Sequence, residues 1–241
     1  MSTTEHIVFL PGLLCDAAVW ARQQAGLAHR AQSFIAQYHD LDSIQTMAAK
    51  VLHQAPYQAF SLAGHSMGGR VALEMVRQAP HRVCRLALLD TGYEPRAPGE
   101  AGEQERAGRM RLLSIAHEQG MLEMGRNWAR GMVHPDQLNR PLFDEILQMI
   151  QRRTTAEFQA QITALLNRPD AGPVLRSLAC PTYIICGRQD AWSPYARHEV
   201  MHGLVPAGRG TLVAIENSGH MSPMEQPDDV TAALSAWLDT K

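Results

Sequence analysis

A chain of 241 residues is long enough to bury one sizeable α/β core, and its 45% hydrophobic and 19% charged content is that of an ordinary globular protein. The formal net charge of −2 leaves no basic excess for nucleic-acid phosphates or an anionic membrane, and no apolar run reaches the length of a membrane span. The four cysteines, Cys15, Cys84, Cys180 and Cys186, have neither metal spacing nor a disulfide framework, and the N-terminus lacks a basic leader, so a cytoplasmic location is expected.

Ile7-Val8-Phe9-Leu10 is a continuous apolar run ending in Pro11-Gly12, the pattern of a buried central strand entering a sharp turn. Asp16 is placed to cap a short helix that carries Val19 and Trp20 inward. Ser33 to Tyr38 predicts a second strand, and Ser43 caps a helix through about His53. A third strand, Ala59 to Ala63, runs into Gly64-His65-Ser66-Met67-Gly68-Gly69, with a helix over Met67 to Ala79 beyond it. A serine at the apex of so tight a turn takes a strained backbone, which requires small residues two before and two after it; Gly64 and Gly68 stand there. Its hydroxyl then lies at a helix N-terminus, where N–H groups and the helix dipole favour developing negative charge. The loop after the first strand leaves the same sheet edge, so the N–H of Leu13 can point at the same spot as that of Met67.

After a fourth strand, Val83 to Leu89, the alternation stops. Glu94 to Gly108 is polar with Pro and Gly and predicts a loop. Four helical patterns follow: about Arg106 to His117; one carrying Met121, Met124, Trp128 and Met132; one carrying Phe143, Ile146, Leu147 and Ile150; and one opened by a Thr154-x-x-Glu157 capping box. Residues 92–170 thus form a helical lid expected over the strand ends, inserted into a core of residues 1–91 and 171–241. Its Met-rich faces are expected to pack helix against helix, and its ten arginines are offset by its acidic residues. A fifth strand (Pro181 to Cys186), a helix (Pro194 to Gly203), a sixth strand (Thr211 to Glu216) and a closing helix (Asp228 to Leu238) resume the alternation. The fold class is α/β: a mostly parallel sheet flanked by helices on both faces.

Two further loops leave strand ends on the same edge as Ser66, one carrying Asp190 in Gly187-Arg188-Gln189-Asp190-Ala191-Trp192 and the other His220 in Gly219-His220-Met221. The order serine, acid, histidine on an elbow of this kind resembles the α/β-hydrolase fold superfamily, and within it the small cofactor-free esterases and enol-lactone hydrolases. The resemblance spans essentially the whole chain. It implies Ser66 as nucleophile, His220 as base, Asp190 as orienting acid, and the N–H groups of Leu13 and Met67 as the oxyanion hole. It also implies a small ester or lactone as substrate, with no cofactor and no metal; carbon–carbon hydrolysis, lyase chemistry, perhydrolysis or a non-catalytic receptor on the same fold are the rivals. Asp90, after the fourth strand, is the other place for the acid, its plainer role being a turn or helix cap. His65 is expected to shape the elbow and Glu225 to face the last helix's N-terminal end, while Cys15 lies beside the site, where a thiol could be modified. Two departures from the family stand out: Pro11-Gly12 replaces a common His-Gly, and Tyr38 to Asp42 passes almost directly to a helix. Oligomeric state is not legible.

Overall fold

Each apolar run of the sequence is a strand hydrogen-bonded to its neighbours, and together they make one parallel sheet in the order β2-β1-β3-β4-β5-β6. In the computed structural model, which describes residues 5–240, the strands are β1 (Glu5–Leu10), β2 (Ala31–Ile35), β3 (Phe60–His65), β4 (Val83–Leu89), β5 (Thr182–Gly187) and β6 (Gly210–Ile215). The helices are α1 (Ala21–Leu27), α2 (Ile44–Gln54), α3 (Met67–Gln78), α4 (Gly99–Gln119), α5 (Met121–Ala129), α6 (Pro141–Gln151), α7 (Thr155–Leu166), α8 (Gly172–Arg176), α9 (Tyr195–Leu204), α10 (Ser222–Glu225) and α11 (Pro227–Leu238).

The chain starts in the interior of the sheet and moves first one way, to β2, then back across β1 to β3. Right-handed crossovers then set α1 on one face and α2, α3 and α9 on the other. In keeping with this, α1 packs against α11, and α2 packs against α3. Central β3 is buried along its whole length, whereas edge strands β2 and β6 are only half-buried. Burying a side chain the size of Phe60 or Leu62 contributes about 1.5–3 kcal/mol. The reversal of strand order at β1 and β3 opens a crevice at the C-terminal strand ends, and the elbow sits there.

Asp16, Ser43 and the Thr154–Glu157 box all cap as expected. Two boundaries differ from the sequence expectation. The second strand is Ala31–Ile35 rather than Ser33 to Tyr38, because its partner β1 stops at Pro11, which has no N–H to continue the ladder. The polar segment expected to be a loop is helical from Gly99 onwards. Its polar and charged residues are helix formers that pair one turn apart, Gln104 with Glu100 at 3.1 Å and Arg109 with Glu105 at 2.9 Å, so the helix needs little apolar burial there. Met121 and Met124 pack among the helices of the insertion between β4 and β5, as expected, while Trp128 and Met132 reach the cavity beside Ser66. Among the described residues no helix is long and apolar enough to cross a membrane.

Candidate active site

Ser66 occupies the turn between β3 and α3 with φ 53° and ψ −116°, a conformation that non-glycine L-amino acids rarely adopt and that is concentrated at turns and functional sites. The glycines around it are required by space: a Cβ on Gly64 would lie 2.4 Å from the carbonyl oxygen of Gly68, and one on Gly68 would lie 2.0 Å from that of Leu10. The elbow is also held from behind. Ser66 donates its N–H to the Leu89 carbonyl at 2.8 Å, and Thr91 Oγ1 donates to the Ser66 carbonyl at 2.6 Å. The Thr91 N–H in turn donates to Nε2 of buried His198, whose Nδ1–H reaches the Pro194 carbonyl. Burial keeps His198 neutral, with a pKa near 4, and so keeps Nε2 an acceptor. The sequence offers no signal for this histidine, since the Thr91 N–H it accepts comes from a loop remote in the chain.

The three strand-end loops meet. His220 Nε2 lies 2.8 Å from Ser66 Oγ, and His220 Nδ1 lies 2.8 Å from Asp190 Oδ2. With Nδ1–H donated to the carboxylate, Nε2 is left to accept the serine proton. Asp190 Oδ1 accepts from the N–H groups of Trp192 and Ser193 at 2.8 and 2.9 Å, which fixes the carboxylate. Burial raises the Asp190 pKa, but the His220 charge and these hydrogen bonds outweigh it and hold the group below its ordinary value. Burial likewise disfavours charge on His220, yet Asp190 more than offsets it, and the imidazole titrates above its ordinary 6.5. Leu13 and Met67 line the same cavity as Ser66. The Leu13 N–H has no acceptor within the described residues, and Met67 is the first residue of α3, ahead of the first i→i−4 bond.

Asp90 does not take the place of the acid. It is wholly buried behind the site, where Oδ1 accepts from the Gly187 N–H at 2.8 Å and Oδ2 pairs with the Ser222 hydroxyl. Burial and the neighbouring Asp190 charge push its pKa well up. Asp90, Asp190 and Cys186 come within 4.8 Å of one another, but both carboxylates are engaged by backbone N–H groups and hydroxyl or imidazole donors. The Cys186 thiol donates to backbone carbonyls, and burial raises its pKa.

Two expectations need correction. Glu225 does not serve the N-terminal end of the last helix; its Oε1 accepts from the N–H groups of Gly219 and Met221, both at 3.0 Å, on either side of His220. Its Oε2 accepts from the N–H of His134 in the insertion at 2.7 Å, so one buried carboxylate ties the histidine loop to that segment. Cys15 lines the cavity, but burial, with Asp16 beside it, pushes its thiol up to about 12, which leaves no thiolate to react.

The cavity over Ser66 has a volume of about 530 Å³. Trp192 stands between His220 and Trp128, with ring centroids 5.2 and 5.1 Å away, as one apolar wall. The other wall carries Arg70, Arg109, Arg168 and Arg197. Glu105 answers two of these, with Arg168 at 2.6 Å and Arg109 at 2.9 Å, and despite its burial their charges draw its pKa down to about 2. Arg197 lies 3.5 Å from the Glu94 carboxylate, whereas Arg70, among the described residues, donates to a carbonyl, Glu94 O at 2.8 Å; burial and then the charges of Arg168, Arg197 and Arg109 depress it to about 9, with Glu105 opposing them. The composition of the insertion hid this excess, because half the cluster, Arg70 and Arg197, comes from the core strands' own loops and helices.

A parallel sheet, a strained serine on the tight turn between β3 and α3 and a histidine–aspartate pair beside it define an α/β hydrolase. The pattern of the "Alpha/beta hydrolase family" matches residues 7–234, and the chain belongs to that family. Among curated relatives, a "2-succinyl-6-hydroxy-2,4-cyclohexadiene-1-carboxylate synthase" of Salmonella heidelberg (strain SL476) is 29% identical over 194 residues, covering 74% of this chain and 68% of that protein. Among solved structures, a thermophilic esterase from Thermogutta terrifontis, with malate bound, superposes with a TM-score of 0.86 at 25% identity, covering 99% of this chain and 90% of the esterase. The enol-lactonase from Burkholderia xenovorans LB400 superposes with a TM-score of 0.84 at 18% identity, covering 98% and 92% of the two chains, and at that identity the likeness is one of fold.

Proposed function

We propose that this chain is a serine hydrolase that cleaves a small, anionic carboxylic ester or lactone through an acyl-enzyme. The observation that carries the reading is the unbroken series from Ser66 Oγ through His220 to Asp190, each link 2.8 Å long. His220 Nε2 takes the hydroxyl proton as Ser66 Oγ attacks the carbonyl carbon, and Asp190 stabilises the imidazolium that forms. The carbonyl oxygen, now an oxyanion, accepts from the N–H groups of Leu13 and Met67; a donor of this kind is worth roughly 3 kcal/mol of barrier. Collapse expels the alkoxide, which takes the proton from Nε2. Water then repeats the sequence on the acyl-enzyme, and the acid leaves. The insertion, residues 92–170, serves as a lid whose inner face shapes the pocket, and the four free thiols suit a reducing compartment such as the cytoplasm.

The anionic character of the substrate rests on Arg70. It stands one helical turn after Ser66, is half-buried, makes no ion pair among the described residues, and is crowded by three other guanidinium groups whose effect outweighs that of Glu105. A carboxylate on the substrate relieves that repulsion. The names of two relatives, a carboxylate synthase and an esterase with malate bound, each include a carboxylate compound. The synthase name also favours a second reading, lyase chemistry at the same site with no acyl-enzyme; interception of an acyl group by hydroxylamine separates the two.

The test compares p-nitrophenyl butyrate with p-nitrophenyl hemisuccinate. The hemisuccinate is expected to be preferred in kcat/KM by about tenfold or more, the scale of one charge-assisted hydrogen bond. Arg70→Met abolishes that preference while sparing the neutral ester, and Ser66→Ala abolishes both reactions. An active Ser66→Ala enzyme refutes the mechanism, and a preference for the neutral ester refutes the substrate class.

A further inference from the structure

The segment that carries the Leu13 N–H is not self-supporting. Leu14, the next residue, has φ 60°, in the left-handed region that a leucine rarely occupies. Its side chain is fully buried, and its N–H donates to Oε1 of Gln161, in helix α7 of the insertion, at 2.9 Å. Gln161 is itself only 4% exposed, and 147 residues separate the partners. One residue further on, the Cys15 N–H closes the turn onto the Gly12 carbonyl at 3.1 Å, with Leu13 inside the turn. Arg153 donates to the Cys15 carbonyl and Arg152 to Asp16, both from the same insertion, but the Arg152 side chain is about half exposed and neither contact reaches the Leu13–Leu14 peptide.

A backbone held away from its preferred region persists only where its surroundings over-determine it, and such sites concentrate where function needs a fixed geometry. Successive peptide N–H groups in a turn of this hand point different ways, so a strong acceptor for one fixes the direction of the other. We propose that Gln161 is a positioning residue of the oxyanion hole: by capturing the Leu14 N–H it holds the left-handed turn that leaves the Leu13 N–H directed into the cavity at Ser66. The inference rests on the hydrolase reading above, in that it needs an oxyanion for Leu13 to meet. It gives the insertion a part in the chemistry that covering the pocket does not require.

Gln161→Met keeps the length of the side chain and removes the acceptor, whereas Gln161→Glu keeps an acceptor at the same reach. Each variant is assayed for kcat and KM on the preferred ester and for the affinity of an alkyl boronic acid, which forms a tetrahedral adduct on the serine and places an oxygen where the oxyanion forms. Loss of a whole oxyanion donor costs about 10²–10³ in kcat. Misdirecting one is expected to cost Gln161→Met about 10- to 100-fold, with KM within about threefold, boronate affinity falling in step with kcat, and Gln161→Glu restoring most of both. Should Gln161→Met not fold, Gln161→Asn, one methylene too short to reach, is expected to show the same split. A folded Gln161→Met or Gln161→Asn enzyme with unchanged kcat overturns the proposal, as does a kcat loss that leaves boronate affinity untouched or that Gln161→Glu shares in full. Activity surviving in Ser66→Ala would instead remove the underlying mechanism, so the two failures are told apart.

Discussion

His65 donates from Nε2 to the backbone carbonyl of His220 at 2.8 Å, so the residue before Ser66 holds the main chain of the imidazole that faces it. The ring has no freedom to do otherwise. Its Nδ1 faces Gly12 and has no hydrogen-bond partner among the described residues, Trp20 packs edge-on at 6.5 Å, and burial, followed by the His220 charge, lowers its pKa to about 3. His65 is therefore neutral and a donor at any pH where the enzyme works.

Replacing that donor should uncouple the two loops. His65→Leu leaves a buried carbonyl unpaired, a cost of about 1–3 kcal/mol, and is expected to lower the melting temperature and kcat together. His65→Gln, which retains a donor, is expected to lose less of each. Thermal melts and steady-state kinetics on the same preparations check this; a His65→Leu enzyme as stable and active as the parent contradicts it.

How much of this was legible follows from the range of the interactions. The elbow and the three strand-end loops could be read because each is a local pattern: an apolar run, then small residues or a chemically distinctive side chain. The start of helix α4 is not legible because its first turns are stabilised by polar and ionic side-chain pairs one turn apart rather than by an apolar stripe. The supporting residues were hidden for a different reason. His65, His198, Gln161 and Glu225 act through hydrogen bonds to backbone atoms of distant segments, and a backbone atom leaves no mark in a sequence.

The two buried aspartates should respond in opposite ways to amidation. The proposed mechanism needs neutral His220, and its pKa is raised by Asp190 against the effect of burial, so kcat/KM is expected to rise with pH through a midpoint above 6.5. Asp190→Asn removes the charge and presents an amide where Nδ1–H needs an acceptor; a loss of about 10⁴ in kcat and a lower midpoint are expected. Asp90 has its pKa raised, chiefly by burial, so the folded state holds its proton where the unfolded chain, with an ordinary value of 3.8, has lost it. Its ionisation therefore takes stability away as pH rises from 3.8 towards the folded value. Asp90→Asn supplies a neutral group of the same shape, and is expected to keep activity within a few-fold and to be at least as stable as the parent at neutral pH. Activity profiles and melts from pH 5 to 9 decide both, and a collapse of kcat in Asp90→Asn would move the acid to the other strand.

Glu225 invites a test of how firmly the histidine loop must be held. Its two oxygens accept three backbone N–H groups, two of which flank His220 while the third belongs to His134. Glutamine has the same shape but one acceptor oxygen, so in either orientation at least one N–H faces an NH₂ group, a mismatch worth about 1–3 kcal/mol. Glu225→Gln is thus expected to lower the melting temperature by a few degrees in a chain of this size, and to reduce kcat more than it changes KM, because substrate contacts are left intact while the approach of Nε2 to Ser66 loosens. Amide hydrogen exchange reads the cause directly. Protection should fall at Gly219, Met221 and His134 and stay unchanged across β3 and the elbow, where none of the lost hydrogen bonds ends. Faster exchange spread evenly over the molecule would mean that the carboxylate supports the fold at large and has no particular hold on the base.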